Sequence, residues 1–329
     1  MELSIAKLRF KTPVRFGQEG IGLEKTSDLL HSDTLFSSLV CAWSEIYGLD
    51  KTSDVLELFK DKPPLIISSA FPWLGKTLML PKPFIKAKFI DPIVEESYSK
   101  KIKKLNFVTK ETFEVLINGK PLEKELLEET LKNQLFEYLT KPFVSLDRVT
   151  YSPNIYYVTS TVFGKRLSER ILEEGGVYFF FRVTEKNMEE MLKSALLYLG
   201  DTGIGGKKSC GYGKFEYEID RISLDTPEKP DSFVTLSLSI PNESELLELD
   251  PDNAFYYLIR RRGWIVSPFF TRNKRKKAIY CFTEGSVFPA EFRGRMVDVT
   301  PEGIEEEIPH RVYRYGYPFW IPVRRAGNG

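Results

Sequence analysis

From Val177 to Ile219 the sequence lays down strand, helix, glycine loop and strand in one unbroken block, and few folds can hold that order. Val177 to Val183 is a nearly continuous apolar and aromatic run, the pattern of a central strand. Asn187 and Glu190 stand at capping-box spacing, and Met188, Met191, Leu192, Ala195, Leu196 and Leu199 form a buried helical stripe that Gly200 should end. The segment Gly200-Asp-Thr-Gly203-Ile-Gly205-Gly206-Lys207-Lys208-Ser209-Cys-Gly211-Tyr212-Gly213 then leads into a strand from Lys214 to Ile219. A nucleotide-binding P-loop joins a strand to a helix, whereas this loop leaves a helix and enters a strand. The residues fail the pattern too, with Asp201 five places before Gly206 and Lys208 where Ser or Thr should follow the lysine. The dinucleotide GxGxxG pattern fails for the same reasons. What the loop does offer is glycine backbone able to approach a phosphate with successive amides, two lysines, and Tyr212 as a surface on which a base could stack. An ordinary flexible loop is the alternative.

Other elements are read around this block. Leu3 to Phe10 is an opening strand ended by Pro13, and a loop through Gly17, Gly20 and Gly22 follows. Ser32 or Asp33 is the expected N-cap of a helix carrying Phe36, Leu39, Val40, Trp43 and Ile46 and ended by Gly48, which sets His31 at a helix entrance. Pro63 to Pro92, rich in proline and lysine, predicts irregular segments, edge strands and exposed loops. Ser99 to Lys110 is basic, and Leu126, Leu127, Leu131, Leu135 and Leu139 predict one side of a helix after Pro121. Asp225 to Asp231, with two prolines, is the expected linker to a second sheet that opens with the alternating run Phe233 to Ile240. At 329 residues the chain has room for two cores. The interleaving favours an α+β plan of two split βαβ units: a domain over 1–225 with an insertion near 75–145, and a second over 226–329.

A net charge of +1 carries no basic signal, but the distribution does. Asn253 to Thr283 holds no acidic residue and carries Arg260, Arg261, Arg262, Arg272, Lys274, Arg275, Lys276 and Lys277, while acid gathers at Glu243, Glu245, Glu248, Asp250 and Asp252. Arg260 to Arg262 beside Trp264 suit phosphate tracking near an aromatic platform; a solvated surface or a face for an acidic partner is the plain alternative. Cys41, Cys210 and Cys281 are far apart, form no CxxC pair and have only His31 and His310 as nitrogen partners, so small apolar thiols are expected rather than zinc or disulfides. No metal or other cofactor is expected. No apolar run is long enough for a membrane span and the first residues lack a leader pattern, so a cytoplasmic place is expected.

Three stretches together resemble a known family. Gly203-Ile-Gly205-Gly206-Lys207-Lys208-Ser209-Cys-Gly211-Tyr212-Gly213-Lys-Phe215 is similar to the glycine-rich loop of the RAMP superfamily, the repeat-associated RNA-binding proteins of CRISPR systems. Leu30-His31-Ser32-Asp33-Thr34-Leu35-Phe36, and Leu146-Asp147-Arg148-Val149-Thr150 followed by Tyr156-Tyr157, resemble the fourth subunit of type III-A Csm complexes. The similarity spans most of the chain and is loosest in the C-terminal third. It implies two ferredoxin-like (RRM-like) folds that hold the repeat-derived 5′ handle of the guide RNA (crRNA) and cap the backbone filament. Two protein partners are implied: the large polymerase-like (palm-domain) subunit and the adjacent backbone RAMP subunit.

The residues leave room for enzymes. His31, Ser32 and Asp33 could form an acid–base cluster, and Asp33 a metal-assisted nuclease carboxylate, since related backbone subunits cut RNA with a loop carboxylate. The resemblance is to the non-cutting relative, so His31, Ser32 and Asp33 are expected to contact RNA, as is Arg148, unless Asp147 simply pairs with it. A protein-binding scaffold is a third reading. Arg311-Val-Tyr313-Arg314-Tyr315-Gly-Tyr317 predicts a strand with tyrosines on one face, suited to stacking bases or to a subunit seam.

Overall fold

The computed structural model describes residues 1–17, 22, 24–132, 135–167, 170–270, 272–304 and 307–325. β1 (Glu2–Phe10) leads to α1 (Ser32–Tyr47) and, across Gly48, directly to α2 (Leu49–Asp61). β2 (Leu65–Ile67) and β3 (Phe71–Leu74) follow, and after an excursion the chain returns as β10 (Gly175–Val183), α6 (Lys186–Thr202) and β11 (Phe215–Ser223). The sheet order β11-β1-β10-β3, with β2 also on β10 and every pair antiparallel, is the split βαβ arrangement of a ferredoxin-like unit.

The excursion, 75–174, begins with β4 (Thr77–Pro81), α3 (Pro92–Lys103), β5 (Phe107–Thr109), α4 (Lys110–Ile117) and α5 (Lys124–Lys132). It continues as a long hairpin of β6 (Phe136–Leu146) and β7 (Pro153–Phe163), then a short one of β8 (Lys165–Leu167) and β9 (Arg170–Glu173). The C-terminal half is strand-rich. It runs through β12 (Ser232–Thr235), α7 (Glu243–Glu248), β13 (Leu258–Arg261), β14 (Ile279–Phe282), β15 (Val287–Phe288), β16 (Val297–Asp298), β17 (Tyr313–Arg314) and β18 (Trp320–Val323). β15-β12-β18 make one sheet, and β13–β14 and β16–β17 are hairpin-like pairs. The fold class is the expected one, α+β and ferredoxin-like, complete in the N-terminal half and reduced to strands and one short α-helix among the described residues of the C-terminal half.

Several local expectations need correcting. β2, β3 and β4 are buried strands of the main sheet, not exposed segments, because Trp73, Leu78 and Leu80 pack on the core under the excursion's helices. α6 starts at Lys186 with Glu185 as N-cap and no side-chain cap bond, so Asn187 lies inside the helix and the capping box does not form. α1 starts at Ser32 behind His31, and neither Ser32 nor Asp33 is its cap. The ladder of β12 stops at Thr235, and Ser237 and Ser239, the polar members of the alternating run, are fully buried. Leu139 belongs to β6, not to the leucine helix. Gly20 lies outside the described residues. No helix among the described residues is long and apolar enough to cross a membrane.

Two core clusters are shared by the halves, and others lie within the C-terminal half alone. Trp43 is fully buried between α1 and α6, its indole donating to the Met191 carbonyl at 2.9 Å. Phe36 meets Phe59 at 4.9 Å and Tyr315 at 4.8 Å between ring centroids. Tyr315 and Tyr317 are buried in this N-terminal cluster, Ile67 N–H donating to the Tyr315 hydroxyl at 3.0 Å and the Tyr317 hydroxyl donating to the Phe59 carbonyl. Of the tyrosines suited to stacking bases, Tyr315 and Tyr317 are thus core residues, and Tyr313 is half-buried against them. Burying rings of this size contributes roughly 2–3 kcal/mol each, which holds the tail to the first sheet.

Candidate nucleic-acid interface

The glycine loop begins where α6 stops at Gly203, whose N–H donates to the Leu199 carbonyl at 2.7 Å. It is wound tightly rather than left flexible. Gly206 N–H donates to Arg15 O at 2.8 Å, Gly213 N–H to Pro13 O at 2.9 Å, Ile204 N–H to Gly213 O at 3.0 Å and Lys214 N–H to the Thr12 hydroxyl at 3.0 Å. Gly205 and Gly213 have φ of +88° and +75°, and a Cβ on either would sit 2.5 Å from Arg15 O or 2.0 Å from Ile204 O. Glycine is required there by a backbone crossing. Three of these amides bond the loop to residues 12–15 and the fourth closes it on itself, so these four do not face a phosphate. Tyr212, expected as a stacking platform, is 8% exposed, with its ring 6.5 Å from that of Phe143.

What the loop presents instead is a single 3₁₀ turn, Lys208–Cys210, whose Lys208, Ser209 and Cys210 are exposed, with Gly211 closing it in a left-handed conformation. Lys207 precedes the turn with φ +62°, and its ammonium donates to the Tyr156 hydroxyl at 3.1 Å while lying 4.9 Å from that ring and 5.3 Å from Phe143. The turn-proximal part of the β6–β7 hairpin, where Phe143 pairs with Tyr156, therefore braces the loop. No carboxylate pairs with Lys207 or Lys208 among the described residues.

Arg148 sits at the far end of this hairpin. Asp147 does not pair with it: its carboxylate accepts the Val149 and Thr150 N–H groups, both at 2.8 Å, and those bonds hold it below the usual carboxylate range. Arg148 is exposed beside Val149 and Tyr151, which are 87% and 79% exposed. Three residues separate Phe143 from the end of β6 at Leu146, about 10 Å at ~3.4 Å per residue, and Arg148 stands in the turn beyond.

The helix entrance is turned inward. Ser32 N–H donates to the Ser69 hydroxyl at 2.8 Å, and the Ser32 hydroxyl accepts Leu238 N–H at 3.0 Å. Asp33, 1% exposed, accepts Arg261 Nε on one oxygen and Arg261 Nη2 on the other, each at 2.9 Å, and Arg314 Nη1 as well. Burial alone would raise its pKa, but the two guanidiniums outweigh that and hold it far below the ordinary range. His31 Nδ1 lies 2.8 Å from the Glu284 carboxylate, which also accepts the Ser69 hydroxyl. Ser32 and Asp33, expected to touch RNA, are thus the joint between the halves. Only His31 of the three retains exposure.

The three successive arginines have three fates. Arg261 turns in to Asp33; Arg262 is half-buried and its carbonyl accepts Arg314 Nη2 at 3.2 Å; Arg260 is exposed on β13 opposite Tyr280 of β14, itself 62% exposed. Farther on, Arg272 and Lys277 pair with Glu307 and Glu302, and Arg275 lies 4.8 Å over Trp264. Lys276, half-buried, is pushed down by desolvation and then by Arg314. Burial pushes the Cys41 thiol of α1 up while Lys276 and Lys208 pull it down, so the loop and the acid-free segment converge on α1. Sequence reasoning missed Glu284, Tyr257 and Tyr280; the acid-free run was the only signal near the last two. Among the described residues no group of three His, Cys, Asp or Glu side chains could hold a metal ion.

Comparison with known proteins places these features in a family. The model of the RAMP superfamily matches residues 7–216, and that of the CRISPR Csm4 C-terminal domain matches 228–323. The protein "CRISPR system Cms protein Csm4" of Thermococcus onnurineus (strain NA1) is 30% identical over 304 residues, covering 90% of this chain and 92% of the relative. That of Streptococcus thermophilus is 29% identical over 315 residues, covering 92% and 94%. Among solved structures, a chain of the Csm1–Csm4 cassette in complex with cA4 matches with a TM-score of 0.63 at 22% identity over 100% of both chains. A chain of the Csm3–Csm4 subcomplex of the type III-A CRISPR-Cas interference complex matches at 0.60 and 18%, over 98% of this chain and 100% of the other.

Proposed function

The chain belongs to the Csm4 family of the RAMP superfamily, and from that premise we propose that it is a non-catalytic RNA-binding subunit of a type III-A CRISPR interference complex. It holds the repeat-derived 5′ handle of the crRNA and caps the backbone filament. The observation that carries this reading is the pair Lys207 and Lys208, held on a rigid loop without a carboxylate partner among the described residues, beside a cationic segment that includes Arg260 and Lys276. Arg148 extends the basic surface along the hairpin. The non-catalytic part is supported by Asp33, whose oxygens are both taken by guanidiniums, leaving a nuclease metal no carboxylate there. Two protein partners follow from the family: the large polymerase-like subunit and the neighbouring backbone RAMP subunit, in keeping with the Csm1–Csm4 and Csm3–Csm4 assemblies that the fold resembles.

Fluorescence anisotropy with RNA bearing a CRISPR-repeat 5′ handle, against a scrambled RNA at two salt concentrations, tests the reading. Handle-selective binding of RNA that stays intact with Mg²⁺ is the expected result. Replacing Lys207 and Lys208 together by alanine should weaken binding and flatten the log–log salt dependence by about 1.4, at ~0.7 per single-strand phosphate released. An unchanged slope would remove the loop from the RNA contact, and Mg²⁺-dependent cleavage would overturn the non-catalytic assignment.

A further inference from the structure

Beside the helix entrance a cleft of ≈ 740 Å³ opens between the excursion and the C-terminal half. Its volume falls within the ~300–1,000 Å³ of small-ligand pockets. His31 and Glu284 line its floor, and Phe84 and Tyr257 meet edge to face at 4.8 Å, with Tyr257 67% exposed. The charges facing it are balanced: Lys82 and Lys103 against Asp28 and Glu284. Lys82 is already committed, its ammonium donating to the Ile102 and Lys103 carbonyls at 3.0 and 3.1 Å. Two carboxylates against two lysines, one of them engaged, leave no excess of positive charge and make a poor phosphate site. Exposed aromatic faces over hydrogen-bonding groups suit a flat, uncharged, polar-edged ligand, which is the description of a nucleobase.

The lining also offers a polar group to the edge of a base. Glu284 is buried and holds His31 through Nδ1, which leaves Nε2 on the other side of the ring. Nε2 has no hydrogen-bond partner among the described residues, and His31 is part of the cleft lining. The cleft adjoins the cationic strand: Thr283 N–H donates to the Tyr257 carbonyl at 3.0 Å, and Arg260 stands three residues on. A strand whose phosphates track Arg260 can turn a base into the cleft.

We propose that this cleft holds one unstacked base of the bound RNA, stacked on Tyr257 beside Phe84 with its polar edge on His31 Nε2. The inference rests on the RNA-binding reading above and adds a base-recognition site to it. The test uses the full chain with intact handle RNA and a series of handle RNAs each lacking a single base. Wild type should lose about tenfold in affinity at one position of the series, the worth of one base–aromatic stack. Tyr257→Ala should show the same loss on intact RNA and no further loss at that position, while Tyr257→Phe restores binding. Tyr257 is exposed, so its truncation leaves the fold intact, and the thermal melt checks this. If wild type selects the handle but Tyr257→Ala binds every RNA as wild type does, the pocket is wrong and the handle reading stands. If Tyr257→Ala keeps RNA affinity but no longer assembles with the partner subunits, the cleft is a protein-docking site and the proposal falls. Wild type that binds neither RNA overturns the handle reading, and this one with it.

Discussion

Alanine at position 33 should lower the unfolding free energy by about 3–5 kcal/mol, the usual cost of stranding buried charge by removing its partner. The Asp33 carboxylate is the counterion of both Arg261 and Arg314, whose side chains are 11% and 6% exposed. Without it, two guanidiniums from the C-terminal half face each other, with Lys276 close by, at the N-terminus of α1, where the helix dipole is positive too. Arg314→Met, which leaves Asp33 held at both oxygens by Arg261, should cost less. Denaturant melts of the three proteins check this, and a loss below about 1 kcal/mol for Asp33→Ala would mean that the clasp does not join the halves.

The same carboxylate sets an acid limit. Burial would raise the pKa of both Asp33 and Glu284, yet the charges of Arg261 and Arg314 on the first, and His31 with Ser69 on the second, hold both below their ordinary values. Below about pH 4 the unfolded chain binds protons that the folded chain refuses, so stability rises with pH through that window. Stabilisation is complete above the unfolded values and is lost as pH falls toward the folded ones. Asp33→Ala should flatten this acid limb of the pH–stability curve.

The second large effect belongs to the loop. Gly213→Ala should destabilise by about 4 kcal/mol and weaken RNA binding, because its Cβ would meet Ile204 O at 2.0 Å and Ile204 N at 2.9 Å, both backbone atoms that cannot rotate away. Gly211→Ala is the control. It has nearly the same φ, +80°, but nothing within 4 Å of the new Cβ, so only the left-handed cost of about 1–2 kcal/mol applies. Thermal melts and anisotropy on both variants separate the two causes. Equal effects would mean that the loop is not wound around Ile204.

The strand–helix–loop–strand block at 177–219 was legible because its signals are local. Apolar runs and a 3.6-residue stripe depend only on near neighbours in the chain, and β10, α6 and β11 stand where that pattern puts them. Helix starts were less legible, since Glu185 and not Asn187 caps α6, and a cap depends on one side chain reaching one amide. The proline-rich run 63–92 misled because proline reports a missing donor, yet strands that the excursion covers hold Pro72 inside the β3–β10 ladder and Pro81 at the end of the β4–β5 ladder.

In the site, sequence pointed to the right residues for partly the wrong jobs. Glycines and lysines at 203–213 marked a loop built for close approach, but that the approach is to Pro13 and Arg15 depends on pairing across the sheet. His31-Ser32-Asp33 read as a surface motif because charged and hydroxyl side chains are mostly exposed. Arg261 and Arg314 lie 228 and 281 residues from Asp33, and no periodicity carries information over such a distance. Alternation could say that Arg260 and Arg261 point to opposite faces of β13, but not which face meets solvent. Local pattern therefore determined the strand–helix–loop–strand block, and the motifs carried the resemblance to a family. The folded structure alone decided which charges are buried and paired, because the energy of an ion pair is set by the partner and the dielectric around it, and both come from residues far away in the chain.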